Sequence, residues 1–193
     1  MSKSPVSPPI AILLNAVLAV IDEAQPKSLC VRRGEGFGLP YGPFDPARHR
    51  TFELGLRSWV AEQTQVPLGY VEQLYTFGDQ GRESPAAVSA GVGAGARVVS
   101  VGYLALAPEP AKVSAKGAEW RNWYEFFPWE DWRSGEPAIL RKAIMPGLAG
   151  WTQRAETDAA RRDRETRIGL AFGLGDVGWE EERTLERYEL MYE

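Results

Sequence analysis

The apolar residues near the start of this chain fall into two blocks separated by a polar turn. "IAILLNAVLAVI" (residues 10–21), interrupted only by Asn15, gives way to Asp22, Glu23 and Pro26, and "SLCVRR" (residues 28–33) follows. Short apolar blocks joined by such a turn predict a β-hairpin, with one strand over 10–21 and the next over 28–33. Gly34 to Pro46 is rich in Gly and Pro and reads as a loop in which backbone can come close to a ligand. From Arg48 to Gln65, the apolar residues Phe52, Leu54, Leu56, Trp59 and Val60 sit on a helical background that Pro67 ends. Val71 to Phe77 and Arg97 to Leu106 are β-rich. Alternation along the first of these sends Gln73, Tyr75 and Phe77 to one face and Glu72 and Leu74 to the other. Between them, Glu83 to Ala96 is mostly Ser, Ala and Gly, a loop that lengthens a turn at little closure cost.

Beyond this lies an aromatic stretch, "WRNWYEFFPWEDW", from Trp120 to Trp132. Trp120, Trp123, Tyr124 and Phe127 recur at near-helical spacing, while Pro128 and Pro137 prevent one long helix. Such rings could stack an adenine base, but core or dimer packing is the favoured role. After Pro137 the pattern is helical, with a break expected at Pro146-Gly147. Arg161 to Arg167 alternates charge, as a solvated helical face with local ion pairs does; a DNA phosphate contact through Arg161, Arg162 or Arg164 is the less favoured reading. Leu185, Tyr188 and Tyr192 are spaced for packing in a closing helix. The alternation of elements predicts an α/β/α sandwich with a mixed sheet, followed by C-terminal helices. The expected partition is a disordered leader over 1–9, a domain over 10–135 and a helical extension over 136–193.

Composition narrows the possibilities. With 193 residues, 44% hydrophobic and 25% charged, the chain can bury a core without cross-links. A net charge of −4 and a pI near 5.3 argue against a surface that grips nucleic acid over a wide area. Lys3 and the apolar run after it could imitate a signal peptide, but the run is shorter than the roughly 20 residues of a spanning helix and passes straight into Asp22 and Glu23. Cys30 is the sole cysteine, which excludes an internal disulfide and suits a reducing cytoplasm; Leu29 and Val31 beside it indicate a buried strand position. His49 is the sole histidine, so no His/Cys zinc cluster can form; between Arg48 and Arg50 it is expected in an exposed loop or helix start.

The segment "LPYGPFDPARHRTFELGLRSWVAEQTQV" (residues 39–66) resembles a Nudix box, G-x5-E-x7-R-E-U-x-E-E-x-G-U with U apolar. Leu39, Pro40 and Gly42 match the opening loop and Ala61 to Val66 the end, with a slightly longer helix between. Aligned on that end, Ser58 takes the place of the box Arg, Trp59 of its first helical Glu, Glu62 of the second and Gln63 of the third. The earlier Glu falls on Arg48 or Arg50, depending on the end from which it is counted. Mg²⁺ needs several oxygen ligands in octahedral array, commonly carboxylates that hold ions against substrate phosphates. Here Glu62 alone survives, with Glu53 as a weak substitute.

"VPLGYVEQLYTFGDQGRE" and "RVVSVGYLALAP" are similar to the strand, loop and strand that follow the box in Nudix proteins acting on ADP-ribose-type dinucleotides. The resemblance covers residue 10 to about residue 108. "WYEFFPWEDWR" and "WEEERTLERYELMYE" look like one subgroup, the bacterial Nudix-like regulators of NAD biosynthesis of the NadQ or NrtR type. In that family a Nudix-like domain senses a nucleotide and a C-terminal winged helix binds operator DNA. The resemblance therefore implies a cytoplasmic, homodimeric sensor of an adenine nucleotide (ATP, NAD or ADP-ribose type), needing no cofactor and reaching DNA only through a winged helix not recognisable in this sequence. No catalytic residue is expected beyond a residual Glu62, and no metal ligand beyond the weak candidates Glu62 and Glu53. Expected ligand contacts are Arg48, Arg50 and Arg57 to phosphates, Tyr75 or Phe77 to a base with Gln73 a further candidate on the same strand, and Asp79 and Arg82 at the turn meeting the second half of a dinucleotide. The alternative is a Nudix hydrolase that cleaves ADP-ribose or a related compound with Mg²⁺.

Overall fold

The computed structural model describes residues 9–78 and 96–191. The leader before Pro9, most of the Ser/Ala/Gly loop, and the candidates Asp79 and Arg82 lie outside the described residues. The chain divides into two compact units, Met1–Trp123 and Tyr124–Glu193, with the break earlier than the 135/136 position expected from the sequence.

The first unit is built on a mixed sheet. Strand β1 (Ile10–Asp22) turns tightly into β2 (Gln25–Arg33), with Asp22 paired to Gln25 and both turn residues, Glu23 and Ala24, at positive φ (49° and 59°). That geometry matches the right-handed twist of the flanking strands, and the Lys27 ammonium, 2.6 Å from the Asp22 carboxylate, ties the hairpin end. Short strands β3 (Gly36–Gly38) and β4 (Tyr41–Pro43) pair antiparallel with β2 and β1. Helix α1 (Phe52–Thr64) precedes β5 (Glu72–Phe77), β6 (Arg97–Leu106) and β7 (Ala118–Asn122). The central order is β3-β2-β1-β6-β5, with β4 on β1 and β7 on β2; β1 and β6 run parallel and the other pairs antiparallel.

Alternate residues of the parallel pair face α1. Leu14, Ala16 and Leu18 of β1 and Val101, Tyr103 and Ala105 of β6 form one core with Leu29 of β2 and Leu56 and Val60 of α1. Leu56 and Val60 are wholly buried, so truncating Leu56 to Ala would cost about 2–5 kcal/mol. Thr51 caps the helix by accepting from the Leu54 N–H, and Gln65 ends it in the left-handed region at φ 59°.

The structure departs from the sequence pattern at β5, at His49 and at Trp120. Strand β5 does not alternate cleanly: its register on β6 shifts between Gln73, opposite Tyr103, and Tyr75, opposite Gly102. The extra residue, Leu74, puts Gln73 on the α1 side with Thr76, whose hydroxyl accepts from the Gln73 amide at 3.3 Å, and leaves Tyr75 and Phe77 together on the other face. His49 is not exposed but 5% accessible. Trp120 lies on β7 rather than on a helix, opposite Leu29.

The second unit is helical. Pro146 does not break the chain as expected. Residues Leu140–Ile144 form a π turn in which the Met145 N–H donates to Leu140 O, and α-helix continues over Met145–Gln153. The wider turn just before the proline accommodates a residue that has no amide proton to give. A second helix covers Asp158–Ala171, capped by Thr157, and a third Thr184–Leu190. Trp129, Leu140, Ile144, Leu148, Ile168, Phe172 and Leu190 make the core of this unit.

Candidate functional site

The residues that resemble the Nudix box converge where α1 leans on β4. Gly42 is buried, and a Cβ placed there would fall 2.2 Å from the Trp59 ring, so only glycine leaves room for the indole. Trp59 Nε1 donates to Pro43 O at 2.9 Å. One turn further along α1, the Gln63 amide closes on the main chain of Tyr41: Nε2 donates to Tyr41 O at 2.6 Å and Oε1 accepts from Tyr41 N at 3.3 Å. Both side chains that stand in glutamate positions are therefore clasps between helix and strand.

Gln63 Oε1 also accepts from Arg33 Nη2 at 2.8 Å, and the Arg33 guanidinium lies 4.5 Å from the centre of the Tyr41 ring. A cation thus sits beside the third glutamate position. Arg33 lies 30 residues from Gln63 in the chain, and nothing in the sequence joins them; only the strand register does.

The turn leading into α1 is held from within. Asp45 O accepts from the N–H groups of Arg48 (3.1 Å) and His49 (2.7 Å), and the Asp45 carboxylate accepts from Ala47 N. His49 Nδ1 accepts from Asp45 N at 3.1 Å, which leaves the ring proton on Nε2. The imidazole packs against Phe44 and Trp59 and against Gly55, where a Cβ would approach Nδ1 to 2.9 Å. Its Nε2 has no hydrogen-bond partner among the described residues.

The expected ligand residues fall into separate groups. Arg48 and Arg50 are exposed on this turn. Arg57 is engaged: Nε donates to Glu53 at 2.9 Å, Nη1 to Leu68 O at 2.6 Å and Nη2 to Gly69 O at 2.8 Å, so it braces the loop after the helix. Tyr75 and Phe77 meet edge to face at 4.9 Å, apart from Gln73. The aromatic stretch is used for packing: Trp120 joins the first core and gives its N–H to Ala111 O, Trp123 gives its own to Ser28 Oγ, and Trp129 is buried in the second core.

This donor set does not suit Mg²⁺. Glu62 is exposed, and Glu53, nine positions earlier, points to the opposite side of α1 at 100° per residue, roughly 13 Å away along the axis. Glu53 is also held by Arg57. Glu53 cannot join Glu62 around one ion, and an indole and a hydrogen-bonded amide complete the face.

No family model matches the chain, and no curated protein matches it. Solved structures do. The neighbours are Nudix proteins. The NUDIX domain of Shewanella oneidensis NrtR complexed with ADP ribose is 27% identical, with 61% of this chain and 75% of that one covered at a TM-score of 0.48. A MutT/nudix family protein from Enterococcus faecalis is 24% identical, covering 63% and 47% at 0.46. Shewanella oneidensis NrtR complexed with a 27mer DNA is 25% identical, covering 74% and 63% at 0.45. The chain thus spans less than two thirds of the last two. The mixed sheet with its parallel β1–β6 pair, and the glycine loop running into α1, make an α/β fold.

Proposed function

We propose that this chain is a catalytically silent Nudix-like domain that binds an adenine nucleotide, of the ATP, NAD or ADP-ribose type, as the effector of a transcriptional regulator of NAD metabolism. The observation that carries this reading is the pair of clasps, Trp59 to Pro43 O and Gln63 to Tyr41, in the positions where a hydrolase would hold metal. Metal-assisted attack on a pyrophosphate needs carboxylates there, and these side chains are spent on holding α1 to β4.

In this reading Arg48 and Arg50 meet phosphate oxygens from the turn before α1, and Tyr75 or Phe77 meets the base. Asp79 and Arg82 contact the other half of a dinucleotide, while Arg57 serves the fold. The domain acts in the cytoplasm as a homodimer, and DNA is reached through a winged helix on the same regulator. A nucleotide switches such a dimer only if it binds the DNA-competent and incompetent arrangements with different affinity.

The test has two arms. ADP-ribose, ATP and NAD are titrated against the chain with a chelator present, and at least one is expected to raise the melting temperature. Separately, AMP release from ADP-ribose with Mg²⁺ is expected to stay at background. Release at an ordinary enzymatic rate would replace the sensor with a Nudix hydrolase.

A further inference from the structure

Arg33 was not among the ligand residues expected from the sequence, yet it is the cation fixed beside the third glutamate position of the box. We infer that Arg33 anchors the diphosphate of the nucleotide, its guanidinium standing in for the metal ion that a Nudix hydrolase places between carboxylate and phosphate. This rests on the reading of the domain as a nucleotide binder.

Three observations carry it. The guanidinium is held in place before any ligand arrives, by the Tyr41 ring at 4.5 Å and by Gln63 Oε1 at 2.8 Å. A charge held in this way loses little freedom on binding. Gln63 is neutral, so the partner that orients Arg33 does not cancel its charge, as a glutamate in the same place would. Among the described residues no carboxylate pairs with Arg33, and its Nε and Nη1 have no hydrogen-bond partner. A planar fork with donors to spare at an exposed position fits two phosphate oxygens at once. The substitution of Gln for Glu at 63 thus does two things together: it removes a metal ligand and leaves a cation uncompensated.

The ligand class that follows is a diphosphate bound without metal. Calorimetric titration of the full chain, in chelator, with ADP-ribose and with inorganic pyrophosphate would test it. The wild type is expected to bind both, and R33Q to lose at least about tenfold in affinity for both, the loss of one charge-assisted hydrogen bond or more. R33K is expected to fall between them, because it keeps the charge without the fork. R33Q binding like the wild type would overturn the assignment. Wild-type binding that appears only when Mg²⁺ is added would also overturn it, while leaving the nucleotide reading intact. Failure of the wild type to bind either probe, with or without Mg²⁺, would remove the nucleotide reading itself. Should R33Q not fold, Y41L supplies the second variant: it takes away the platform and keeps the charge, and unchanged pyrophosphate affinity in it would count against the anchor.

Discussion

Trp59 and Gly42 fit each other so closely that a single methyl group at residue 42 would overlap the indole, with ideal Cβ distances of 2.2, 2.3 and 2.5 Å to its ring atoms. The contact lies on the boundary between helix and glycine loop, and the Trp59–Pro43 hydrogen bond depends on it. Gly42→Ala is therefore expected to push the ring off the loop and destabilise the fold by about 2–3 kcal/mol, from overpacking and the lost hydrogen bond. Urea denaturation of the variant against the wild type measures this, and an unchanged midpoint would show that the ring has room to move.

Gln65 occupies the place of the box glycine and adopts the backbone that explains a glycine there, φ 59° at the end of α1 with its N–H on Ala61 O. A side chain in the left-handed region costs roughly 1 kcal/mol that glycine does not incur. Gln65→Gly is expected to raise stability by about that amount. A fall in the urea midpoint would mean that the Gln65 side chain contributes something its backbone conformation does not reveal.

Much of this arrangement can be read from the sequence, but unevenly. The hairpin and the long strand β6 were legible because a run of buried residues writes itself directly into the apolar pattern. The shift in β5 was not, because "EQLYTF" alternates well on paper and the extra residue is decided by its pairing with β6. The burial of His49 is concealed in the sequence by its exposed neighbours Arg48 and Arg50. The informative signal was Gly55, a glycine in the middle of a helix, where alanine would be better by 0.5–1 kcal/mol or so unless something must sit against it; that something is the imidazole. Arg33 left no trace at all in the sequence, since its role depends on strand β2 ending beside β4 and α1.

In the second unit, Arg187 is fully buried and is met by Glu130, with Nε–Oε1 at 2.7 Å and Nη2–Oε2 at 3.0 Å. Its other donors reach Ala171 O and Glu180 O, and its guanidinium lies 3.9 Å from the Trp179 ring centre. Removing one member of a buried pair leaves the other charge and the carbonyls without partners, so Arg187→Ala is expected to cost about 3–5 kcal/mol. Thermal denaturation checks this, and Glu130→Gln, which keeps one acceptor, should cost less. Equal effects from the two would mean that the carbonyls and the ring matter little.

Tyr103 offers a pH test of the first core. Its phenol lies between the sheet and α1, and burial, with a smaller contribution from the Glu53 carboxylate, raises its pKa above the usual 10. A proton held more tightly in the folded state stabilises that state while the unfolded phenol is still protonated. The contribution is thus fully present below about pH 10, the unfolded value, and is lost as pH rises through the folded one. Tyr103→Phe keeps the ring and gives up only a long hydrogen bond to Gln73, 3.4 Å. The stability of the variant should consequently decline less steeply than that of the wild type above about pH 10, while ionisation of the other tyrosines affects both alike. Parallel alkaline denaturation curves would show that Tyr103 ionises as it does in the unfolded chain, and that the space between α1 and β6 is wetter than its packing implies.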